Sequence, residues 1–211
     1  MLVGLAVLVV AIAAFIVRGE QLVSGPSSSS AEVGRSTGTP SSSDEADGVV
    51  PDGVVDEADG LIPDGVAVSV FDEEVPAVGR LDPGLLVALR RAATDAEADG
   101  VWFRVTSGWR SPEYQQLLLQ DAVLEHGSRE EAARWVATAE TSAHVSGDAV
   151  DIGDIGPFDA SARWLSAHGD EHGLCQIYGN EPWHYELRPE AVNGDCPPLY
   201  ADPTEDPRMQ P

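Results

Sequence analysis

The chain contains no lysine, and it has few basic residues of any kind. Its 211 residues include 12 Lys plus Arg, all of them Arg, against 36 Asp plus Glu, so the formal net charge is −24 at pH 7. Proteins that bind nucleic acid present a basic face to the phosphate backbone, and attachment to an anionic membrane surface needs a polybasic segment. We therefore expect neither nucleic acid nor a polybasic membrane contact among the partners of this chain.

Long uncharged apolar runs are also absent, except at the N-terminus. There, residues 2–17 form a run of sixteen, which Arg18 ends. A full membrane span takes about 20 apolar residues, so the run fits either an anchor helix that stays in the membrane or the apolar part of a cleaved signal peptide. Both interpretations assign residues 1–23 to this segment. Both also predict an extracytoplasmic protein, either membrane-anchored by this N-terminal apolar helix or secreted.

Apolar residues are scarce again in residues 24–66, where Ser, Gly, Pro and Asp dominate. Such a segment cannot bury enough apolar surface to offset the entropy lost on ordering. It holds a tandem repeat, DEADGVVPDGVV at residues 44–55 followed by DEADGLIPDGVA at residues 56–67. A calcium site is the alternative, but the Asp-x-Asp-x-Asp-Gly order of an EF-hand loop is missing. We interpret the segment as a disordered acidic linker that holds the next domain away from the membrane.

Residues 67–200 have the pattern of a folded domain, followed by a tail at residues 201–211. Asp82-Pro83 is an N-cap with proline in the first turn, and it predicts a helix that Gly100 ends. Similar signals predict helices at residues 111–126, 128–139 and 158–168. Apolar and β-branched runs predict strands at residues 101–106, 149–152, 174–178 and 183–187. This mixture, with hairpin-like late strands, favours an α+β fold with a small mixed sheet and flanking helices.

Side chains with catalytic potential cluster in two short segments of this domain. His144 and Asp151 are seven residues apart with Gly147 between them, so a turn at the glycine can bring imidazole and carboxylate to one point. Glu181 precedes His184 by three residues at the start of a predicted strand. Two His and one Asp form the ligand set of a catalytic zinc site, and a carboxylate that is not a ligand can act as general base toward the metal-bound water. The pattern predicts metal-assisted hydrolysis.

A third segment, residues 107–111, directly follows the first predicted strand. It places Arg110 at the end of a sheet, where a guanidinium group can bind a substrate carboxylate or stabilise a developing oxyanion. The alternative is a structural salt bridge between Arg110 and one of the many acidic residues.

Together the three segments resemble the VanY-type D-alanyl-D-alanine carboxypeptidases, a family of zinc peptidases that also includes D-Ala-D-Ala dipeptidases and cell-wall endolysins. The Ser-x-His-x-x-Gly-x-Ala-x-Asp signature of the family, and a second signature in which a Glu precedes a Trp-His pair, are matched by Ser142, His144, Gly147, Ala149, Asp151, Glu181, Trp183 and His184. The Ser-Gly-Tyr-Arg segment of the family appears here as SGWR, with Trp109 in place of the tyrosine and with Gln115 in the usual downstream position.

The resemblance implies a role for each matched polar residue. Glu181 would be the catalytic base, and Arg110 would stabilise the tetrahedral intermediate or the substrate carboxylate. Ser142 and Gln115 would help to bind the peptide. The zinc ligands implied by the resemblance, placed on the sheet, are His144, Asp151 and His184.

By the same resemblance, the substrate is a peptidoglycan stem peptide that ends in D-Ala-D-Ala, and the enzyme is a D,D-carboxypeptidase that acts as a monomer. A peptidoglycan endopeptidase and a D-Ala-D-Ala dipeptidase are the alternatives among enzymes, because a shared site fixes the reaction but not the length of peptide in the cleft. A non-catalytic, zinc-holding wall-binding module is the alternative of another class.

Cysteine is scarce as well, with Cys175 and Cys196 the two in the sequence. Two cysteines in an exported chain usually form a disulfide, which contributes roughly 3 kcal/mol to stability in the chain-entropy model. We expect this disulfide to hold the strand that carries His184 against the C-terminal tail. Zinc ligation by Cys175 is the alternative.

Overall fold

In the computed structural model, the described residues are 55–153, 159–193 and 195–209. The expected N-terminal helix and most of the expected linker lie outside them. Within the described residues, no helix is both long enough and apolar enough to cross a membrane. The helices are α1 (Pro76–Gly79), α2 (Pro83–Ala98), α3 (Pro112–His126), α4 (Arg129–Ala132), α5 (Ala143–Ser146) and α6 (Ala160–His168). The strands are β1 (Val105–Ser107), β2 (Ala149–Ile152), β3 (Leu174–Gln176) and β4 (His184–Leu187).

The four strands form one sheet in the order β1-β2-β4-β3. The α+β class is confirmed, but the expectation of a mixed sheet is wrong, because each neighbouring pair of these strands is antiparallel. Residues 177–183, which join β3 to β4, are too few for the crossover of a dozen or more residues that a parallel pair requires. The parallel contact seen in the described residues is an isolated bridge between Tyr178 and Tyr200.

Helix α2 begins where its sequence signal places it and covers one face of the sheet. The Asp82 side chain accepts hydrogen bonds from the backbone N–H groups of Gly84 and Leu85, which caps the first turn. The buried residues of α2 recur at helical spacing and pack with core residues of the sheet and of α6, namely Leu85, Leu89, Ala92, Ala96, Val105, Val150, Ile152, Trp164, Leu165 and Tyr185.

The alternation of side chains along a strand divides β2 and β4 into a core face and a polar face. Val150 and Tyr185 are directly paired in the register and belong to the core cluster under α2. Asp151 and His184 form the next pair, so their side chains emerge on the opposite face of the sheet. The sheet therefore places a carboxylate and an imidazole side by side without any contribution from a loop.

Several predicted elements are shorter than expected, and the difference is largest for β1 and α4. Strand β1 pairs with β2 from Val105 to Ser107 and has an irregular register between these residues, whereas the apolar pattern predicted a strand at residues 101–106. Helix α4 ends at Ala132 rather than near residue 139. The chain after it is held by Gln115, whose side-chain amide donates to the carbonyl of Ala137.

Described residues on both sides of the expected domain also contact it. Residues 57–59 form a 3-10 turn, and the carbonyl of Asp59 accepts from the backbone N–H of Ser111. At the other end, Asp202 and Asp206 are buried, so residues 202–206 pack on the domain. The expected disulfide between Cys175 and Cys196 is present and closes a loop with a sequence separation of 21. Contrary to expectation, it does not hold the strand that carries His184, because Cys175 lies in the neighbouring strand β3.

Candidate active site

Helix α5 presents His144 to the polar face of the sheet. Ser142 precedes the helix, and Gly147 ends it with φ 82° before the chain enters β2. This left-handed conformation and the nearby carbonyl oxygen of Arg80, 2.7 Å from where a Cβ would lie, favour glycine at position 147. Nδ1 of His144 lies 2.8 Å from the carbonyl oxygen of Gly108. Since a carbonyl can only accept, Nδ1 carries the proton and Nε2 is left with a free lone pair.

Three ligand atoms converge where α5 meets the sheet. Oδ1 of Asp151 lies 3.4 Å from Nε2 of His144 and 3.1 Å from Nδ1 of His184. One ligand atom from each of the three side chains lies within 4.8 Å of the others, and all three residues are buried. Two imidazole nitrogens and a carboxylate oxygen in this arrangement could hold a metal ion. The structure thus brings together the three residues that the sequence predicts as ligands.

The surroundings of these three groups shift their pKa values in different directions. Burial would raise the pKa of Asp151, but the two imidazoles beside it hold that pKa well below its usual range. Burial and the neighbouring Arg110 both lower the pKa of His144. Burial would also lower the pKa of His184, yet hydrogen bonds to Asp151 and Glu186 raise it to about 10. A metal ion at Nδ1 of His184 would replace the proton shared with Asp151, so metal uptake releases a proton.

Glu181 lies beside the three ligand atoms and is the second acidic side chain of the site, after Asp151. Its Oε2 lies 3.8 Å from Nδ1 of His184, and the residue is 8% exposed. Burial raises the pKa of Glu181 to about 7. A general base is most effective when its pKa lies near the working pH, so the environment of this carboxyl group suits it for accepting a proton from a water in the site.

Arg110 reaches the site from the loop after β1 and is held by three partners. Its Nε donates to Oγ of Ser107 at 2.8 Å, Nη1 to Oε1 of Gln115 at 3.1 Å, and Nη2 to Oδ2 of Asp151 at 3.2 Å. A guanidinium group has five N–H donors. Arg110 therefore keeps two N–H groups that have no partner among the described residues and can bind a ligand.

The other predicted site residues lie close by and have different surroundings. Gln115 is 1% exposed and holds Arg110 on one side and the carbonyl of Ala137 on the other, so its contact with a peptide would be indirect. Ser142 is buried at the start of α5. The guanidinium of Arg80 lies over the ring of Trp109, 4.3 Å from the ring centroid. The tryptophan that replaces the tyrosine of the family therefore serves packing.

Two groups that contact the candidate histidine ligands were not predicted from the sequence. One is the carbonyl of Gly108, which sets the tautomer of His144. The other is Glu186, whose Oε1 lies 3.4 Å from Nε2 of His184. Residues i and i+2 of a strand share a face, so the position of Glu186 two residues after His184 was a signal that could have revealed it.

Sequence comparisons identify known proteins that are similar to this chain. The family model for VanY, D-alanyl-D-alanine carboxypeptidase, matches residues 79–190, which is just over half of the chain. A curated relative is the D-alanyl-D-alanine carboxypeptidase of Enterococcus faecalis, strain ATCC 700802 / V583, with 33% identity over 127 residues. The match covers 50% of this chain and 47% of the relative, so the chain spans about half the length of that protein.

Two solved structures are also similar to this chain. A mutant of the vancomycin resistance D,D-pentapeptidase VanY from a VanB-type cassette, in complex with Zn(II), is 31% identical with a TM-score of 0.46, over 51% of this chain and 72% of its own. The LdcB LD-carboxypeptidase is 23% identical with a TM-score of 0.51, over 64% of this chain and 71% of its own. The second comparison shows that the two proteins share a fold.

Proposed function

The chain belongs to the VanY family of D-alanyl-D-alanine carboxypeptidases, and from this we propose that it is a zinc-dependent peptidase that removes the terminal D-Ala from peptidoglycan stem peptides. One observation carries the proposal. Nε2 of His144, Oδ1 of Asp151 and Nδ1 of His184 converge at one buried point, and Glu181 lies beside them. Such a site has three ligands and a separate base, as metal-assisted hydrolysis requires.

The donor set supports zinc as the metal. Imidazole nitrogens suit zinc, and two of them with one carboxylate oxygen form the three-ligand set of its catalytic sites. His144 and His184 each direct one ring nitrogen to the cluster, while the other nitrogen contacts a carbonyl or a carboxylate. Such outer contacts fix the orientation of metal-binding imidazoles. When bound, zinc would polarise the scissile carbonyl and lower the pKa of its water.

Glu181 is proposed as the group that moves the proton. Its pKa of about 7 lets the carboxylate take a proton from the attacking water as the C–O bond forms. The same carboxyl group can then give that proton to the leaving amine of D-Ala as the C–N bond breaks. One buried side chain can thus serve as base and then as acid.

Arg110 is proposed as the cation that orients the substrate. Its two remaining N–H groups can bind the terminal carboxylate of the stem peptide or the oxyanion that develops at the scissile carbonyl. Ser107, Gln115 and Asp151 fix the plane of the guanidinium group before substrate arrives. Ser142, buried at the start of α5, is proposed to contribute to peptide binding.

An extracytoplasmic location follows from the proposed substrate, because peptidoglycan lies outside the cell membrane. The disulfide between Cys175 and Cys196 supports an oxidising compartment. Anchoring or secretion through residues 1–23, and action as a monomer, remain parts of this proposal.

Release of D-Ala from a muramyl pentapeptide tests the proposal. It is measured for the wild type, for Glu181→Gln, for chelator-treated protein and for the treated protein reloaded with zinc. Glu190→Gln, at an exposed glutamate, serves as the matched control. We expect release by the wild type, the control and the reloaded protein. Release at the wild-type level by the chelated protein and by Glu181→Gln would overturn the zinc and base roles.

The alternative functions are distinguished by the substrates that the protein cleaves. An endopeptidase would cut cross-linked sacculi without releasing D-Ala from the pentapeptide, and a dipeptidase would cleave free D-Ala-D-Ala. A wall-binding module would bind zinc and sacculi and cleave none of these substrates.

A further inference from the structure

The C-terminal segment, defined as residues 202–209, contacts a neighbour of the candidate metal ligand His184. Its contact point is Glu186 on β4, whose side chain is 1% exposed. Oε1 of Glu186 lies 3.4 Å from Nε2 of His184, the ring nitrogen that does not face Asp151. A carboxylate beside this nitrogen accepts its proton and leaves Nδ1 free for the metal.

Arg208 holds this carboxylate with two hydrogen bonds. Nη1 donates to Oε2 of Glu186 at 2.7 Å, and Nη2 donates to Oε1 at 3.1 Å. Paired N–H donors fix the plane of a carboxylate as well as its position. Nε of Arg208 in turn donates to both oxygens of Asp206, at 3.1 and 3.0 Å. Arg188, the residue that follows β4, also donates to Oε2 of Glu186, at 2.6 Å, so Glu186 is held by two arginines among the described residues.

A second route connects the same segment to the same imidazole. Asp206 is buried and accepts a hydrogen bond from the hydroxyl of Tyr178 at 3.0 Å. The ring of Tyr178 lies against the ring of His184, with 5.2 Å between centroids. The C-terminal segment therefore contacts two neighbours of the His184 ring, Glu186 and Tyr178, although none of its own atoms is a candidate ligand.

We infer that the C-terminal segment is a positioning element of the metal site, in which Arg208 acts through Glu186 to hold His184 in its ligating orientation. The inference rests on the zinc site of the proposed function and extends it to residues that contact neither metal nor substrate. Removing the partner of a metal-binding histidine typically lowers metal affinity 10–100-fold. Because Arg188 remains, we expect Arg208→Gln to weaken zinc binding by about tenfold, at the lower end of this range.

The experiment measures the zinc dissociation constant of the full chain by competition with a chelator, together with circular dichroism to check folding. The variants are Arg208→Gln, Glu186→Gln and the double variant. Arg134→Gln is the matched control, because Arg134 holds Asp202 of the same segment at 3.0 Å without touching Glu186. We expect the control to change the zinc dissociation constant less than twofold, within the scatter of independent sites.

The double variant separates positioning from general structural support. If Arg208 acts through Glu186, its substitution weakens zinc binding in the wild type and adds nothing once Glu186 is Gln. Cobalt replacing zinc gives a second readout, since its visible absorption reports ligand geometry. We expect its bands to shift in Arg208→Gln and to stay unchanged in Arg134→Gln.

Two results would overturn the inference while leaving the proposed function intact. One is a zinc affinity in Arg208→Gln equal to that of the control, and the other is an equal effect of Arg208→Gln in both backgrounds. A wild type that does not bind zinc would overturn the proposed function and this inference together. Should Arg208→Gln fail to fold, Arg208→Lys replaces it, since lysine keeps the charge but not the paired donors. Wild-type affinity in a folded Arg208→Lys would also contradict the inference.

Discussion

Arg110 donates from Nη2 to Oδ2 of Asp151 at 3.2 Å, while Oδ1 of the same carboxylate faces both histidines of the site. One oxygen of Asp151 is thus occupied by a cation of the protein, and the other is directed to where the ligand atoms meet. The sequence suggested two roles for Arg110, a substrate contact or a structural ion pair. The structure contains the ion pair, and the two remaining N–H groups leave room for the substrate contact as well.

Arg110→Lys is therefore expected to reduce activity strongly. A lysine presents a point charge and cannot reach Ser107, Gln115 and Asp151 together. Loss of an oriented donor to the developing oxyanion lowers kcat by about 10²–10³. The measurement is kcat and KM for D-Ala release, with zinc content determined in parallel. Arg91→Lys, at an exposed position of α2, is the control, and unchanged kinetics in Arg110→Lys would exclude the proposed role.

The local signals of the sequence sufficed for much of the site. Asp82 and Ser111 cap the helices that they were expected to cap. The spacing from His144 to Asp151 places a short helix, a glycine turn and a strand in between, so both side chains reach one point. These features depend on neighbours within a few residues, which is the range in which sequence patterns are informative.

The contacts that could not be predicted join residues far apart in sequence. Glu186 pairs with Arg208, and the backbone N–H of Ser111 donates to the carbonyl of Asp59, across sequence separations that no periodic pattern reveals. The strand order and its antiparallel pairing also depend on long-range packing. The contact between Gly60, in the second repeat copy, and residues Trp109 and Arg110 is of the same long-range kind.

Gly60 in that second copy tests whether the packing matters for activity. It has φ 92°, and a Cβ at this position would overlap the carbonyl oxygen of Trp109 and lie 3.2 Å from the Cα of Arg110. We expect Gly60→Ala to displace the Arg110 loop and to lower kcat/KM about tenfold or more, because misplaced groups far from the chemistry can cost 10²-fold.

Gly65 provides a matched control for this substitution. It lies in the same repeat copy with φ 79°, but nothing lies within 4 Å of where its Cβ would be. Gly65→Ala should carry the same backbone penalty, about 1–2 kcal/mol of unfolding free energy, with unchanged kcat/KM. Kinetics and urea unfolding of both variants check this, and equal kcat/KM in the two would contradict the expectation.

The disulfide between Cys175 and Cys196 is expected to stabilise the fold by restricting the unfolded chain. Closing a loop with a separation of 21 residues should stabilise the fold by about 3 kcal/mol in the chain-entropy model. Urea unfolding of the double serine variant measures this contribution. The wild type with its disulfide reduced is the control and should lose a similar amount. A loss below about 1 kcal/mol in both would show that the unfolded chain is not restricted as this model assumes.

Asp206 gives a prediction on the pH dependence of stability. Burial would raise its pKa, but hydrogen bonds from Arg208 and Tyr178 hold the pKa below its ordinary value. A carboxyl group with a lowered pKa in the folded state stabilises the fold fully above its unfolded pKa, about 3.9. This contribution is lost as the pH falls through the folded pKa, because the protonated carboxyl group no longer pairs with Arg208.

Asp206→Asn should therefore lower the unfolding free energy by about 2 kcal/mol at pH 7, the value typical of hydrogen bonds to charged groups. The difference from the wild type should stay constant down to about pH 5 and shrink below about pH 4. Urea unfolding between pH 7 and pH 2.5 measures it, with Asp121→Asn on the exposed side of α3 as the control. If the difference in unfolding free energy persisted unchanged in acid, Asp206 would stabilise the segment through its shape and not its charge. The asparagine variant would then be less stable than the wild type by the same amount at every pH.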